Sequence, residues 1–578
     1  MKDKITEIIK KSSIALLIEV TTILVITTLL FIFNVTITKL HLPIITIIAV
    51  IGFIFFYRKD NKKINFIAIL VAIAVFVGIT YFEGKIYDST ADGNTYHKLA
   101  IGCLKNGWNP NYEDSQDFTK DKGNVFDPSE ENVNTKWVDH YAKATEIFGA
   151  VIYAFTNNIE SGKCYTIILM YSAFGIVFSY LYSNKRRSLF ASLVISILLV
   201  FNAITVVQMF NYYVDGALMI SILLIIYSLI VESENNLTDD KENLLILAMN
   251  IIWCINIKFT GIGFAAVFCF VFYVYWLIKA FKENRENGIK ILKKYTIFYI
   301  IVVIISIAIV GYSSYVRNTI DHGHPLYPLK GEGHVDNMVL MEQPTSFKDK
   351  NHLEIFLISI FSKGENVSPS YSDQNVQPTL KIPFSVSIEE IENYCIPDIR
   401  VGGFGPLFSI VFIASIVGTL YISLKLFKQK KWNLFIPYVL IIAIITGLIL
   451  ALDGNYWARY IPYFYAIPMM VLVDLLWNKE NKIKFLLGII LSIIMLVNVS
   501  MVLYTTIKST KTSNKYIKNV LGIFTEYYNE NKENGISIKL DHMGLQGVLY
   551  NLDDSGIDEY EVNQNMEGKN EGYFFKYN

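Results

Sequence analysis

The sequence predicts an all-α polytopic membrane protein of about thirteen transmembrane helices, and three observations carry that prediction. Hydrophobic residues make up 53% of the 578 and charged residues only 18%, against roughly 25% charged in an average soluble domain. The apolar residues are gathered into repeated runs of about 18–22 residues, the length that crosses a hydrocarbon core of roughly 30 Å. Lysine and arginine then recur in every second short loop, the bias of cytoplasmic loops.

The runs fall at 13–33, 40–57, 64–82, 164–182, 188–206, 214–231, 244–257, 262–281, 295–315, 403–424, 433–451, 460–477 and 485–506. The first follows a basic segment (Lys2, Lys4, Lys10, Lys11). It is too long for a signal-peptide core and lacks a small-residue cleavage site, so it is expected to remain as a span. The run 244–257 is short and carries Asn250 and Asn256. With the N-terminus in the cytoplasm, the cytoplasmic loops are 58–63, 183–187, 232–243, 282–294, 425–432 and 478–484, all basic except 232–243. The short loops opposite them, 34–39, 207–213 and 452–459, carry at most one basic residue each. The expectation is a multi-pass cell-membrane protein with an extracytoplasmic C-terminus. It divides into an N-terminal two-span extension (1–63), a transmembrane core (64–506) with two large outer loops (83–163 and 316–402), and a small extracytoplasmic tail (507–578). The stretch Ile147 to Phe155 in the first loop is too short to span and predicts a helix packed at the membrane interface.

Zero net charge gives a nucleic-acid partner no electrostatic support. The five cysteines form no CxxC and no metal-type spacing. Cys164, Cys254 and Cys269 lie in or beside apolar runs and read as small buried side chains. Cys103 and Cys395 both fall in outer loops and leave a disulfide open.

Residues able to do chemistry gather on the outer side. After the third run comes Tyr87-Asp88-Ser89-Thr90-Ala91-Asp92-Gly93-Asn94-Thr95-Tyr96-His97. Asp88 and Asp92 are four apart and would share a helical face. A carboxylate at a membrane surface can serve as a general base or hold a divalent cation. Both aspartates could instead simply cap a helix. Further on, Asp139-His140-Tyr141-Ala142-Lys143 leads into the short apolar stretch. Lys143 there is either a compact cation for a lipid phosphate or a lysine snorkelling to headgroups. Asp215 stands at the mouth of a span, where an ionisable residue marks a site or a cap. Lys258, in a tight turn between two spans, reads first as a snorkelling side chain. His322 and His324, beside Pro325 and Pro328 in an extended segment, could ligate a metal. Arg459 is the only basic residue of its short outer loop, and a guanidinium fork matches phosphate oxygens. Its alternative is a structural arginine stacked on Trp457. Span centres are mostly apolar, with Glu19 the chief exception, whereas transport places polar groups near the mid-plane. A phosphate-bearing lipid presented at the outer surface fits this distribution.

Asp92 with Tyr96, Ala100, Gly107, Trp108 and Pro110 resembles the acidic motif of the GT-C superfamily of membrane glycosyltransferases, in particular the protein mannosyltransferase and aminoarabinose transferase group. Asp92-Gly93 stands where that family often has Asp-Glu. Tyr141 and Lys143 resemble the lysine of its Lys-Pro-Pro-Leu element, with Ala144-Thr145 in place of the prolines. Asn157 to Glu160 fits the same framework, Asn318 to Pro328 is similar to an Asn…Gly-x-Pro-x-Tyr-Pro element, and Arg459-Tyr460 with Pro462 resembles an Arg-Tyr segment that contacts the lipid phosphate. The likeness covers roughly 64–480, and two spans precede the acidic loop beyond the usual one.

The resemblance implies a GT-C-like catalytic core and an inverting transfer of a sugar from a polyprenyl-phosphate donor. The acceptor would be a lipid, a glycan or a protein at the outer face. Asp92 would be the catalytic base, with Lys143 and Arg459 on the donor phosphate. Asp88, His97, Asp139 and His140 are secondary candidates for substrate or metal contacts, and Tyr96, Asp215, Lys258 and His324 stand behind them. No cofactor is certain, and a divalent cation is left open. Two other readings stay in view: a polymerase or ligase of lipid-linked glycans, and a transporter or flippase without covalent chemistry.

Overall fold

The computed structural model describes residues 2–119, 133–183, 188–235, 237, 240–335, 339, 342–367, 377–477, 481–540, 545–563, 570–571 and 575–577. The basic loop residues 184–187 and 478–480 lie outside the described residues, as do parts of both large outer loops.

Apolar runs in lipid must satisfy their backbone internally, and helices do so. Every one of the thirteen runs is built mainly of helix. Nine of the helices among the described residues are long and apolar enough to cross a membrane, from Asp3–Ile32 to Lys482–Asn534. The chain is a helical membrane protein. Burial sorts its helices. The apolar window of Asp215–Glu234 is 89% buried, whereas that of Arg285–Val310 is only 22% buried. The former is therefore the axis of the bundle and the latter faces the hydrocarbon, with Ile297, Ile300, Ile301 and Ile304 outward. The first helix packs against Tyr165–Ser183, Lys62–Glu83 and His41–Phe56. At Gly175 an added Cβ would lie 1.9 Å from Ser13 Oγ, so glycine there sets how closely the first helix can approach. In that helix Glu19 accepts a hydrogen bond from Thr46 (2.6 Å).

The four shorter runs differ in their local structure. The run 188–206 breaks into Leu189–Val200 and Ala203–Gln208 because Asn202 and Thr205 form a capping box that starts a new helix. The run 244–257 is the helix Lys241–Ile257. Asn250 and Asn256 fold their amides back onto the carbonyls of Ile246 (2.8 Å) and Ile252 (2.9 Å), which removes the cost of burying them. Asn256 also donates to the Ser306 carbonyl (3.0 Å), within the π-helical turn Ile304–Val310 that widens the neighbouring span. The run 460–477 opens in 3₁₀ turns, Ala458–Tyr460 and Pro462–Tyr465, before Ala466–Leu476. The run 40–57 is a regular helix, His41–Phe56, of 16 residues.

One expectation is corrected, and the disulfide left open is absent among the described residues. The stretch around Ile147–Phe155 is a helix, Ala144–Thr156, but it is buried from Ala144 to Ala154 instead of lying at an interface. It packs against the first helix and turns Phe148 onto Tyr165 and Trp253. All five cysteines are free. Cys103 is buried with its thiol toward the Ser115 carbonyl, and Cys395 is exposed.

The tail is folded. The last long helix, Lys482–Asn531, runs 50 residues, about 75 Å at 1.5 Å per residue, far beyond the apolar run that ends at 506. Its outer part buries Ile517, Leu521, Phe524 and Tyr528 against a four-stranded sheet of order β2-β1-β4-β3. The strands are β1 (Ser537–Leu540), β2 (Glu561–Val562), β3 (Asn570–Glu571) and β4 (Phe575–Tyr577). β1 pairs parallel to β2 and antiparallel to β4. A short helix, Gly547–Asp554, projects from this unit onto the first outer loop. Lys98 donates to Asn551 Oδ1 (2.8 Å), Asn551 donates to Glu160 (2.9 Å), and Asp554 accepts from the Ile159 N–H (2.7 Å). Lys98 and Glu160 are themselves a fully buried pair at 2.6 Å.

Candidate functional site

Charged residues stand at the ends of apolar helices because lipid excludes them, and the fold brings one set of ends together. The Asp215–Glu234 and Phe259–Glu283 helices begin there, Lys241–Ile257 and Trp432–Ala451 finish there, and the 3₁₀ turn Ala458–Tyr460 opens the next segment. Between them lies a cavity of about 500 Å³. Asp92, Lys143, Asp215, Lys258, Asp398 and Arg459 all contribute to its wall.

Arg459 is the hub. Its Nη1 is 3.6 Å from Asp92 Oδ2 and 3.6 Å from Asp215 Oδ2, and its Nε is 3.5 Å from Asp398 Oδ1. The guanidinium lies 4.2 Å from the centre of the Trp457 ring, with Tyr213 and Tyr460 beyond. These carboxylates are near enough to keep the guanidinium charged but too far for tight hydrogen bonds. Arg459 Nε is buried with no hydrogen-bond partner among the described residues. Burial alone would lower the arginine pKa; the carboxylates of Asp398 and Asp215 more than offset it and hold it well above the usual range.

Asp92 sits at the end of the acidic loop, just before the π-helical turn Gly93–His97, and its side chain keeps 29% exposure. Burial raises its carboxyl above the usual carboxylate range, Arg459 opposes this, and Asp398 adds to it. The Tyr96 hydroxyl donates to Asp92 Oδ2 at 3.4 Å. Position 93 has no room for a side chain. A Cβ at 93 would fall 2.0 Å from Asp88 Oδ2 and 2.8 Å from Thr90 Oγ1. Asp88 fills that space because its carboxylate accepts from the N–H groups of Thr90 and Tyr212, both at 2.8 Å. We expect Gly93→Ala to destabilise the protein by about 1–3 kcal/mol. Thermal unfolding of the purified variant checks this, and a melting temperature equal to that of the wild type would refute it.

Lys258 donates to Asp215 (2.8 Å) and lies 4.1 Å from the centre of the Tyr460 ring, so it belongs to the cavity and does not snorkel. Burial alone would lower Lys258; Asp215 more than offsets it and holds the ammonium above the usual lysine range. Asp215 also accepts from Gln208 (3.2 Å). Lys143 is buried and donates to the carbonyls of Asp139 and Tyr141, both at 2.7 Å. Burial lowers its pKa well below the usual lysine range, and Asp139 and Glu146 only partly restore it. His97 lines the cavity with Nδ1 2.6 Å from Glu146.

Four sequence candidates stand behind the wall and not on it. Asp88 holds the acidic loop to the 211–213 segment, as above. Asp139 accepts from the Ser115 N–H (2.8 Å). His140 Nδ1 is 2.8 Å from Asn318 Oδ1, and its ring packs edge-on to both His322 and Tyr327. Burial pushes His140 down to about 4. His324 Nδ1 accepts from the Leu326 N–H (3.1 Å). These contacts organise the loops around the cavity. The second long loop (316–402) adds Asp398, Arg400 and Glu342, which sequence reasoning missed. Arg400 pairs with Asp398, donates to Glu342 (3.0 Å) and stacks 4.0 Å from the centre of the other part of the Trp457 wall.

The donor set does not fit a resident divalent cation. Asp92, Asp215 and Asp398 converge on the Arg459 guanidinium, which takes the place a cation would occupy. Among the described residues no group of three or more His, Cys, Asp or Glu is arranged to hold a metal ion. What the wall offers is one accessible carboxylate of raised basicity, fixed cations beside it, and aromatic faces.

Compared with known proteins, the chain matches no family model, and no curated protein matches it either.

Proposed function

We propose that this chain is a GT-C-type glycosyltransferase that moves a sugar from a polyprenyl-phosphate donor to an acceptor at the outer membrane face. One observation carries the reading: Asp92 lies 3.6 Å from an arginine whose buried Nε, 3.5 Å from Asp398, makes no hydrogen bond among the described residues, on the wall of one cavity. A buried donor left without an acceptor costs about 1–3 kcal/mol, and a phosphate oxygen would relieve that cost. In the proposed reaction Asp92 takes the acceptor proton, the acceptor oxygen or nitrogen attacks the anomeric carbon, and the bond from that carbon to the donor phosphate breaks. The bonding electrons leave on the phosphate, where Arg459 and Lys258 stabilise the charge as it develops. The reaction inverts the anomeric centre because it is a single displacement. Trp457 and Tyr460 offer faces for the sugar ring.

The reading includes sidedness. The four shorter runs, 40–57, 188–206, 244–257 and 460–477, are taken to cross along with the nine long helices, which gives thirteen spans, a cytoplasmic N-terminus and an outer C-terminal unit. The basic loops at the opposite helix ends support this.

The pH profile follows from the two shifted groups. Asp92 must be ionised to accept a proton, and its raised pKa puts the acid limb above the usual carboxylate range. Lys143 must be charged to help hold phosphate, and its lowered pKa puts the alkaline limb below the usual lysine range. The expected kcat/KM profile is a narrow bell. Lys143→Arg, charged at every accessible pH, should move only the alkaline limb upward. Assays in proteoliposomes with a defined polyprenyl-phosphate sugar test the reading, and flux of that lipid without any new glycosidic bond would replace it with transport.

A further inference from the structure

A second cavity, of about 890 Å³, lies at the other ends of two of these helices, Asp215–Glu234 and Trp432–Ala451. It is larger than the candidate site and within the range of about 300–1,000 Å³ typical of ligand sites. The Asp215–Glu234 helix runs between the two, with Asp215 on the first cavity and Leu223 to Glu234 on the second. Those eleven steps make a shaft about 16 Å deep at 1.5 Å per residue. Its deep wall is hydrocarbon: Leu223, Ile226, Ile230, Ile441, Met469 and Met470.

The mouth is different in kind. Lys425 and Lys484 both bind the single carboxylate of Asp474, at 2.8 and 2.6 Å. One carboxylate shared by two ammonium groups leaves a positive charge over. Lys431 adds another at the rim, and Lys428 and Lys430 stand in the same turn. Glu234 is the opposing acid on the rim, and its carboxylate accepts from the Tyr180 hydroxyl (2.5 Å). Neutral donors, Gln429, Asn433 and Asn481, complete the edge. A deep apolar shaft under a basic, amide-rich rim is the complement of an anionic headgroup carrying acyl chains.

We propose that this cavity binds one anionic diacyl phospholipid of the leaflet opposite the candidate site, with an acyl chain in the shaft and its phosphate at Lys425, Lys431 and Lys484. The lipid joins the helices of its wall, Asp215–Glu234, Phe408–Lys428, Trp432–Ala451 and Ala466–Leu476. Two of these end or begin beside Arg459 or Asp215, so occupancy at one end bears on the helices that carry the other. The proposal does not depend on which reaction the first cavity performs.

The test is native mass spectrometry of the full chain released from nanodiscs of equimolar phosphatidylglycerol and phosphatidylcholine. The expected result is one retained phosphatidylglycerol per chain, preferred over phosphatidylcholine by about fivefold or more. The double variant K431Q/K484Q should bring that preference near unity while still retaining lipid. Met470→Trp, which fills the shaft, should lose both lipids. Equal retention of the two lipids by the wild type, or undiminished retention by Met470→Trp, overturns the proposal. So does displacement of phosphatidylglycerol by a polyprenyl phosphate at equal concentration. Should a variant fail to fold, the wild type alone decides through a diazirine-bearing phosphatidylglycerol. Cross-links within 177–234 and 421–484 support the site, and cross-links confined elsewhere refute it.

Discussion

Replacing Asp92 with Asn should lower glycosyl transfer by about 100- to 10,000-fold, the usual contribution of a positioned general base. Asparagine keeps the size of the side chain and can still accept from the Tyr96 hydroxyl, but it cannot take a proton at neutral pH. It also removes one of the three carboxylates around Arg459, so a phosphate-bearing donor should bind as well as before, or better. The discriminating pattern is therefore a collapse of kcat with donor affinity intact. A parallel fall in donor binding would make Asp92 a structural partner of Arg459, and unchanged turnover would remove it from the chemistry altogether.

Replacing Arg459 has a larger structural reach, so the conservative change is the informative one. Arg459→Ala would leave the charges of Asp92, Asp215 and Asp398 facing one another, with a cost on the order of 3–5 kcal/mol for the orphaned buried charges. Arg459→Lys keeps the charge but loses the planar fork and its stacking on Trp457. We expect Arg459→Lys to fold and to raise the donor KM about 10- to 100-fold, with a smaller change in kcat. Isothermal binding of a non-transferable polyprenyl phosphonate sugar, alongside steady-state kinetics, separates the two. Wild-type donor affinity in Arg459→Lys would take the phosphate role away from this residue.

The residues that the sequence exposed are those at span mouths. Asp215, Lys258 and Arg459 each border an apolar run, and Asp92 follows one by ten residues; lipid excludes charge from the runs themselves. Asp398 and Arg400 obey the same rule, since they stand between Pro397 and Gly402, just before the 403–424 run. They were hidden by the length of the loop that contains them, although the span-mouth criterion applied to both ends of that loop would have found them. The outer half of the last helix was missed for another reason. Hydropathy falls at 506, but Ile517, Leu521, Phe524 and Tyr528 recur at helical spacing, a pattern for packing against protein instead of lipid. The sheet it carries has strands of two to four residues, too short for any alternation to register. The role of Gly93 was unreadable because the atom that excludes a side chain there belongs to Asp88, whose position is set by the backbone of Tyr212.

The pairing of Lys98 with Asn551 joins positions 453 apart in the chain. At translation rates of about 5–20 residues per second, residue 551 leaves the ribosome about 20 to 90 seconds after the acidic loop. Throughout that interval the Lys98–Glu160 pair lacks the amide that bridges it. A chain ending before residue 551 would therefore lack the contacts that tie Lys98, Ile159 and Glu160 to the last helix of the tail.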